Sequence, residues 1–275
     1  MKTTRELKTE LELKTERMLA SIDADGIGWV TFNNPARHNA LSLEMWQAMG
    51  DIFEDFESNP SVKTVVMTGA GGKAFVSGAD ISEFDQKRAS AAQRREYGKT
   101  ANRGSFAMSN FSKPLIAMID GYCIGGGLAT ALSADVRFAT PQSSFGIPAA
   151  KLGLGYEYEG LAKLCQLIGP SRARDIMLSA RFFPAAEAQD MGLINFTIDS
   201  TELEAEVTDY ARHIAGNAPL TTKAAKAAIN AWENGGKDED VKQVKAMIDA
   251  CFDSSDYKEG RAAFAAKRKP SFKGS

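Results

Sequence analysis

Lys113-Pro-Leu-Ile-Ala-Met-Ile-Asp-Gly-Tyr-Cys-Ile-Gly-Gly-Gly127 runs from an apolar segment through two turns into a glycine triplet, and small residues follow it. Residues 114–119 read as a short buried strand. Residues 128–134 (Leu-Ala-Thr-Ala-Leu-Ser-Ala) read as a helix. Three glycines between a strand and a helix let another group approach the backbone closely. The first N–H groups of the helix are unpaired and lie at its positive end. Such a terminus suits an anion, including one that develops during a reaction. It equally suits a tight turn that packs a helix closely on a sheet, and the glycines alone leave both readings open.

Outward from this stretch, strands and helices alternate. Residues 18–22 and 28–32 form a hairpin pattern around Asp25-Gly26. Ser42 is placed to cap a helix to residue 57, with Leu43, Trp46, Met49, Phe53 and Phe56 on one face. Residues 62–68 read as a strand closed by Gly69, and residues 90–109 as a polar helix. Residues 136–139 and 144–147 read as strands. The alternation predicts an α/β layered fold. Helices are expected at 171–178 and 185–191, a strand at 193–198, then helices at 201–215, 221–233, 238–252 and 256–267, the last stopping before Pro270. The chain divides into a polar lead-in (1–17), a core (18–200) and a helical region (201–275). The lead-in repeats Glu-Leu-Lys-Thr-Glu at 6–10 and 12–16 and reads as frayed or weakly helical.

Composition narrows the function classes. The 275 residues are 44 % hydrophobic and 25 % charged, ordinary for a globular protein. Lys and Arg number 33 against 35 Asp and Glu, so no basic excess suggests a nucleic-acid surface. Cys123, Cys165 and Cys251 form no CxxC pair, which fits reduced thiols in a cytoplasmic protein. With only His38 and His213 present, a structural zinc site is not expected. The acidic N-terminus is neither a signal nor a transit peptide, and no apolar run is long enough to span a membrane.

Gly69-Ala-Gly-Gly-Lys73 is not a phosphate-binding P-loop. Met67 stands where that motif needs its first glycine, and Ala74 where it needs Ser or Thr. No GxGxxG follows a strand, so a dinucleotide fold has no support.

Read together, several segments resemble the crotonase, or enoyl-CoA hydratase/isomerase, superfamily. They are Asn34-Pro35 with Asn39-Ala-Leu41, Ala74-Phe-Val-Ser-Gly-Ala-Asp-Ile81, Asp120 to Gly127, and Ser133-Ala-Asp135. Phe145, Pro148, Leu152-Gly153, Gly169, Ala185, Gly192-Leu193, Gly260, Phe264 and Lys267 to Pro270 continue the series. Any one is weak; the ordered set is specific. The resemblance implies a ββα spiral with a helical C-terminal region that makes trimers, often paired into hexamers. It implies an acyl-CoA thioester substrate, with coenzyme A entering as part of the substrate and no permanently bound cofactor. The oxyanion hole then falls on the N–H groups of Ala79 and Gly126. The backbone around Ser77, Ala79, Asp80 and Ile81 would receive the adenine part of CoA. Arg37 would meet a phosphate, and Phe264 and Lys267 would close over CoA, often across a subunit boundary. Arg37 also reads as a solvated loop arginine, and the two tail residues as part of a basic helix.

The sequence departs from the family where hydration takes place. The two glutamates used for that reaction are replaced by Ala129 and Ala149. Adding water to a C=C bond needs groups that position the water and move its protons, and alanine does neither. Glu157 falls where other branches of the family carry a working carboxylate, with Glu159 as a fallback. Its plain alternative is a solvent-facing loop glutamate. Tyr156 falls where the methylmalonyl-CoA decarboxylase branch has a tyrosine; decarboxylation needs enolate stabilisation but no base. Tyr158 reads as pocket wall. Cys123 reads as packing, because a nucleophile there would need a base beside it. Pocket walls are expected from the loop after Ile81, the helix at 94–106 and the 156–159 loop.

The leading reading is therefore an enzyme acting on an acyl-CoA through an enolate, a lyase or isomerase using Glu157. Decarboxylase and thioester hydrolase readings stand beside it. From another class, the chain reads as a non-catalytic acyl-CoA-binding scaffold. RNA binding, known in one family offshoot, finds no lysine-rich stripe here.

Overall fold

The structure, a computed structural model, describes residues 7–83 and 91–275. β2 (Met18–Asp23) and β3 (Ile27–Phe32) form the expected antiparallel hairpin, with Gly26 at φ 81° in the turn. The buried Asp23 carboxylate holds that turn by accepting the N–H groups of Asp25 and Ile27 and the indole N–H of Trp29.

Beyond β3 the chain repeats one unit. With β1 (Leu7–Glu10) at one edge and β11 (Phe196–Thr197) at the other, β4 (Thr64–Gly69), β6 (Leu115–Ile119) and β8 (Val136–Ala139) extend the large sheet in parallel, in the order β1-β2-β3-β4-β6-β8-β11. Each is followed by a short strand of a second sheet: β5 (Ala74–Val76), β7 (Tyr122–Ile124) and β9 (Ser144–Gly146), with β10 (Phe183–Pro184) at the edge. A helix then returns each time: α2 (Ala91–Ser109), α3 (Gly126–Leu132) and α4 (Tyr158–Ser179). Strand, strand, helix, three times over, is the ββα spiral. α1 (Leu43–Ser58) lies between β3 and β4 in sequence and packs on α2.

Both faces of the large sheet are buried at β4 and β6, which explains why these parallel strands read as continuous apolar runs. Val65, Met67, Leu115, Ala117 and Ile119 face the main core with Phe32, Phe75 and Phe145. Val66, Ile116 and Met118 face the other way, onto Trp29, Phe138 and Leu203, Val207 and Ala211 of α6 (Leu203–Ala215). The helical region after residue 200 therefore begins as the outer cover of the sheet. α7 (Pro219–Glu233) is tied to the body by Lys226–Asp135 at 2.9 Å and Lys163–Glu233 at 2.8 Å. Only α8 (Asp238–Asp253), which has no buried residue, and α9 (Ser255–Ala265) stand off the core. Among the described residues no helix is long and apolar enough to cross a membrane.

Four local expectations are corrected. β1 (Leu7–Glu10) is a strand paired antiparallel with β2, not a frayed or helical lead-in, and Leu11 and Leu13 pack on the core behind it; residues 1–6 lie outside the described residues. Ser42 holds the cap position of α1, but its hydroxyl is buried with no hydrogen-bond partner among the described residues instead of turning to the first helical turn. The helix expected at 171–178 is present as the second part of α4 (Tyr158–Ser179), after a break at Gly169 (φ 79°) followed by Pro170; the unforeseen part is the helix from Tyr158 up to that break, which replaces the loop expected at 156–159. β11 is confined to Phe196–Thr197, because Leu193 and Ile194 give their N–H groups to Ala188 at the end of α5 (Ala185–Asp190).

Candidate active site

β5, β7 and β9 are parallel neighbours, so the segments that leave their C-terminal ends gather on one side. These segments are 77–82, the Gly125–Gly127 turn, and the 3-10 turn Pro148–Leu152.

Ala79 is oriented by an isolated parallel bridge to Leu41. The Leu41 N–H donates to the Gly78 carbonyl and the Asp80 N–H to the Leu41 carbonyl, both at 2.8 Å. Successive groups of an extended chain point to opposite sides, so the Ala79 N–H points away from Leu41. It faces the start of α3: the Ala79 nitrogen is 3.6 Å from where a Cβ on Gly126 would stand. Gly126 is the first residue of α3, whose leading N–H groups have no intrahelical acceptor. Among the described residues neither N–H has a hydrogen-bond acceptor. Gly125 makes this possible with φ 54° and ψ −116°, a conformation a side chain would resist.

Tyr156 reaches the same place. Its hydroxyl lies 3.5 Å from the Gly125 carbonyl oxygen, while its ring packs on the core. Burial, with a smaller contribution from Cys123, pushes its phenol up to about 12. It is therefore a hydrogen-bond donor at neutral pH and not a base. Glu157 is exposed at the N-cap of α4, with extended backbone and its carbonyl accepting the Leu161 N–H at 3.3 Å. The expected loop at 156–159 is thus a helix start. Ala129 lies on the first turn of α3, and Ala149 is buried in the turn after β9. Cys123 is buried, and burial pushes its thiol well above the usual range, as packing requires.

Arg37 ends the 3-10 turn Pro35–Arg37. Behind it, Asn39 is fully buried at φ 57° and clasps three strands of chain: its side chain accepts the Asn34 N–H and donates to the carbonyls of Ala70 and Ala74. The Arg37 guanidinium donates to Asp80 Oδ1 at 3.1 Å and Ser82 Oγ at 2.9 Å. Asp80 is buried, and Oδ1 also accepts the N–H and the hydroxyl of Ser82. Burial would raise its carboxyl, but the Ser82 bonds and Arg37 outweigh that and hold it below the usual range. The N–H groups of Ser77 and Asp80 are engaged with the carbonyls of His38 and Leu41, and Ile81 is exposed. The hydrogen bonds of the Asp80 side chain and the presence of Ser82 here were not foreseen from the sequence; the signal available was the Asp-Ile-Ser spacing of an Asx turn.

The structure thus brings Ala79, Gly126, Tyr156, Ser77, Asp80 and Arg37 to one region. Phe264, 88 % exposed on α9, and Lys267 beyond it make no hydrogen bond, ion pair or ring contact to that region among the described residues. The wall expected from the loop after Ile81 falls on residues 84–90, outside the described residues.

The enoyl-CoA hydratase/isomerase family pattern matches residues 23–275. A short-chain-enoyl-CoA hydratase of Clostridium acetobutylicum is 33 % identical over 240 residues, covering 87 % of this chain and 91 % of that protein. A carnitinyl-CoA dehydratase of Proteus mirabilis is 31 % identical over 240 residues, covering 86 % and 91 %. A crystal structure of an enoyl-CoA hydratase/carnithine racemase from Magnetospirillum magneticum superposes with a TM-score of 0.89 at 35 % identity, over 95 % of this chain and 97 % of that one. A crotonase spiral, matched in sequence from residue 23 to the C-terminus, makes this chain a member of the enoyl-CoA hydratase/isomerase family.

Proposed function

We propose that this protein binds an acyl-CoA thioester and stabilises its enolate between the N–H groups of Ala79 and Gly126. The observation that carries the reading is the pair itself: two N–H groups without acceptors among the described residues, one at the head of a helix and the other 3.6 Å from where a Cβ on that helix's first residue would stand. Donors held ready for developing charge are worth roughly 3–4 kcal/mol each, or 10²–10³ in rate. Named relatives are hydratases and dehydratases of CoA thioesters, which supports the substrate class.

The reaction differs from simple hydration, because Ala129 and Ala149 supply no carboxylate. The Tyr156 hydroxyl, 3.5 Å from the Gly125 carbonyl oxygen, stands beside the helix head, and it is a donor. A donor with two N–H groups suits a reaction whose carbanion forms without an enzyme base. In decarboxylation of a malonyl-type thioester the bond from Cα to the carboxylate breaks, its electron pair enters the enolate, carbon dioxide leaves, and solvent returns a proton to Cα. The second reading keeps Glu157 as a displaced acid/base for isomerisation or hydration; its position at the N-cap of α4, next to Tyr156, is what recommends it. The exposed Phe264 and Lys267 suit a partner's CoA in a trimer or hexamer.

The test is mass spectrometry of wild type, Tyr156→Phe and Glu157→Gln against enoyl, dienoyl, hydroxyacyl and malonyl-type CoA esters. Carbon dioxide release lost in Tyr156→Phe and kept in Glu157→Gln supports the base-free reading. Turnover lost only in Glu157→Gln supports the second. Binding without turnover on any ester makes the protein an acyl-CoA scaffold.

A further inference from the structure

We infer that the Asp80 side chain is a positioning residue that couples the oxyanion donor at Ala79 to the cationic group at Arg37; this rests on the proposed enolate site. Ala79 sits between two fixed points. On one side Leu41 holds Gly78 and Asp80 through two 2.8 Å backbone bonds. On the other, Asp80 Oδ1 gathers three donors: the Ser82 N–H at 3.0 Å, the Ser82 hydroxyl at 2.6 Å and Arg37 Nη1 at 3.1 Å. The carboxylate is 6 % exposed, whereas the Arg37 side chain is 55 % exposed. One end of the bridge is therefore rigid and the other is presented to solvent. Ser82 Oγ also accepts from Arg37 at 2.9 Å, so among the described residues the guanidinium spends one nitrogen on the turn and has its remaining N–H groups for a ligand. A charge-assisted network of this kind fixes backbone direction more firmly than neutral contacts do. An anionic ligand group drawn to Arg37 would then act on the same turn that aims the Ala79 N–H. Ala79 itself needs no side chain, because its aim is set by its neighbours.

The test uses a 3-ketoacyl-CoA, whose enolate absorbs in the near ultraviolet, with wild type, Asp80→Asn, Ser82→Ala and Arg37→Met. Binding is read by calorimetry and the enolate band at saturating ligand. Wild type is expected to bind and to raise the band. Asp80→Asn is expected to bind while its saturated band falls about tenfold, short of the 10²–10³ seen on losing a donor outright. Ser82→Ala, a milder change that keeps the fold if Asp80→Asn does not, is expected to fall between the two. Arg37→Met removes both the cation and one of the three donors on Asp80 Oδ1, so it is expected to weaken binding and also to lower the saturated band, by less than Asp80→Asn does; a full band at saturation in this variant would overturn the coupling to Arg37. Folded Asp80→Asn or Ser82→Ala proteins with the full wild-type band overturn the inference. A wild type that binds without raising the band overturns the enolate site itself, a different failure.

Discussion

The Tyr156 hydroxyl lies 3.5 Å from the Gly125 carbonyl oxygen, one residue from the N–H of Gly126. The phenol is pushed up to about 12 by burial, so the folded protein holds its proton more tightly than the unfolded chain does. Its contribution to stability is complete below about pH 10 and is lost as pH rises toward 12. Within the working range the group does not titrate. Tyr156→Phe is expected to lower kcat/KM by about tenfold, because a donor to the substrate is lost. The urea midpoint should move by no more than ~1 kcal/mol equivalent, because the bond to Gly125 is long. An unchanged kcat/KM would remove Tyr156 from the site.

Neighbouring glycines of the triplet should respond in opposite ways. A Cβ on Gly127 would be driven into the Val76 carbonyl oxygen, a buried backbone atom that cannot yield. Gly127→Ala is therefore expected to destabilise by several kcal/mol, by analogy with overpacked cores at roughly 1–3 kcal/mol or more. A Cβ on Gly126 meets nothing closer than the Ala79 nitrogen at 3.6 Å. Gly126→Ala should fold with a near-native melting temperature. It should nevertheless lose about 10²–10³ in rate, because the methyl group occupies the space where the oxyanion would sit. Equal melting temperatures for the two variants would contradict this account.

Much of this geometry was legible because it depends on residue types with few alternatives. The glycine triplet, the apolar runs of β4 and β6 and the Asp25-Gly26 turn each admit few backbone solutions. Other features depend on tertiary partners. β1 becomes a strand only because β2 offers an edge, and nothing in Leu-Lys-Thr-Glu says so. Tyr156 and Glu157 are adjacent, and their different surroundings follow from where α4 starts, which the break at Gly169 obscured. Asp80 reads, through the family resemblance, as backbone that would receive the adenine part of CoA; that its side chain meets Arg37, 43 residues earlier, depends on the tertiary fold.

Lys113 predicts a pH dependence away from the active site. It is 8 % exposed and donates to the Phe56 carbonyl and, at 2.7 Å, to that of Asn59, at the end of α1. Burial lowers its ammonium to about 8, with Lys223 adding to the effect and Glu57 opposing it. The unfolded chain then binds the proton more tightly than the folded protein between about pH 8 and pH 10.5. Stability from this group rises with pH across that window and is lost as pH falls through 8. The urea midpoint of the wild type, measured relative to Lys113→Met at pH 7.5, 8.5 and 9.5, should increase along the series. A flat difference would mean that the lysine stays fully charged in place.

Ala129 and Ala149 make the final prediction a gain of function. Ala129 is partly exposed on the first turn of α3, so a glutamate there reaches water and costs little. Ala149 is 6 % exposed, so a carboxylate there is desolvated and needs a donor. Ala129→Glu should fold with wild-type stability, and Ala149→Glu should lose a few kcal/mol. If the spiral and oxyanion N–H groups are those of a hydratase and only the carboxylates are missing, the double variant should hydrate a short 2-enoyl-CoA. The expected gain is about 10²-fold over wild type, the lower end for positioned acid–base groups. Loss of the conjugated enoyl absorbance reads it directly. A folded double variant that binds the enoyl thioester without hydrating it would show that Tyr156 and the turn after β9 shape the pocket against water. The difference from the hydratases would then lie in the walls as well as in the two absent glutamates.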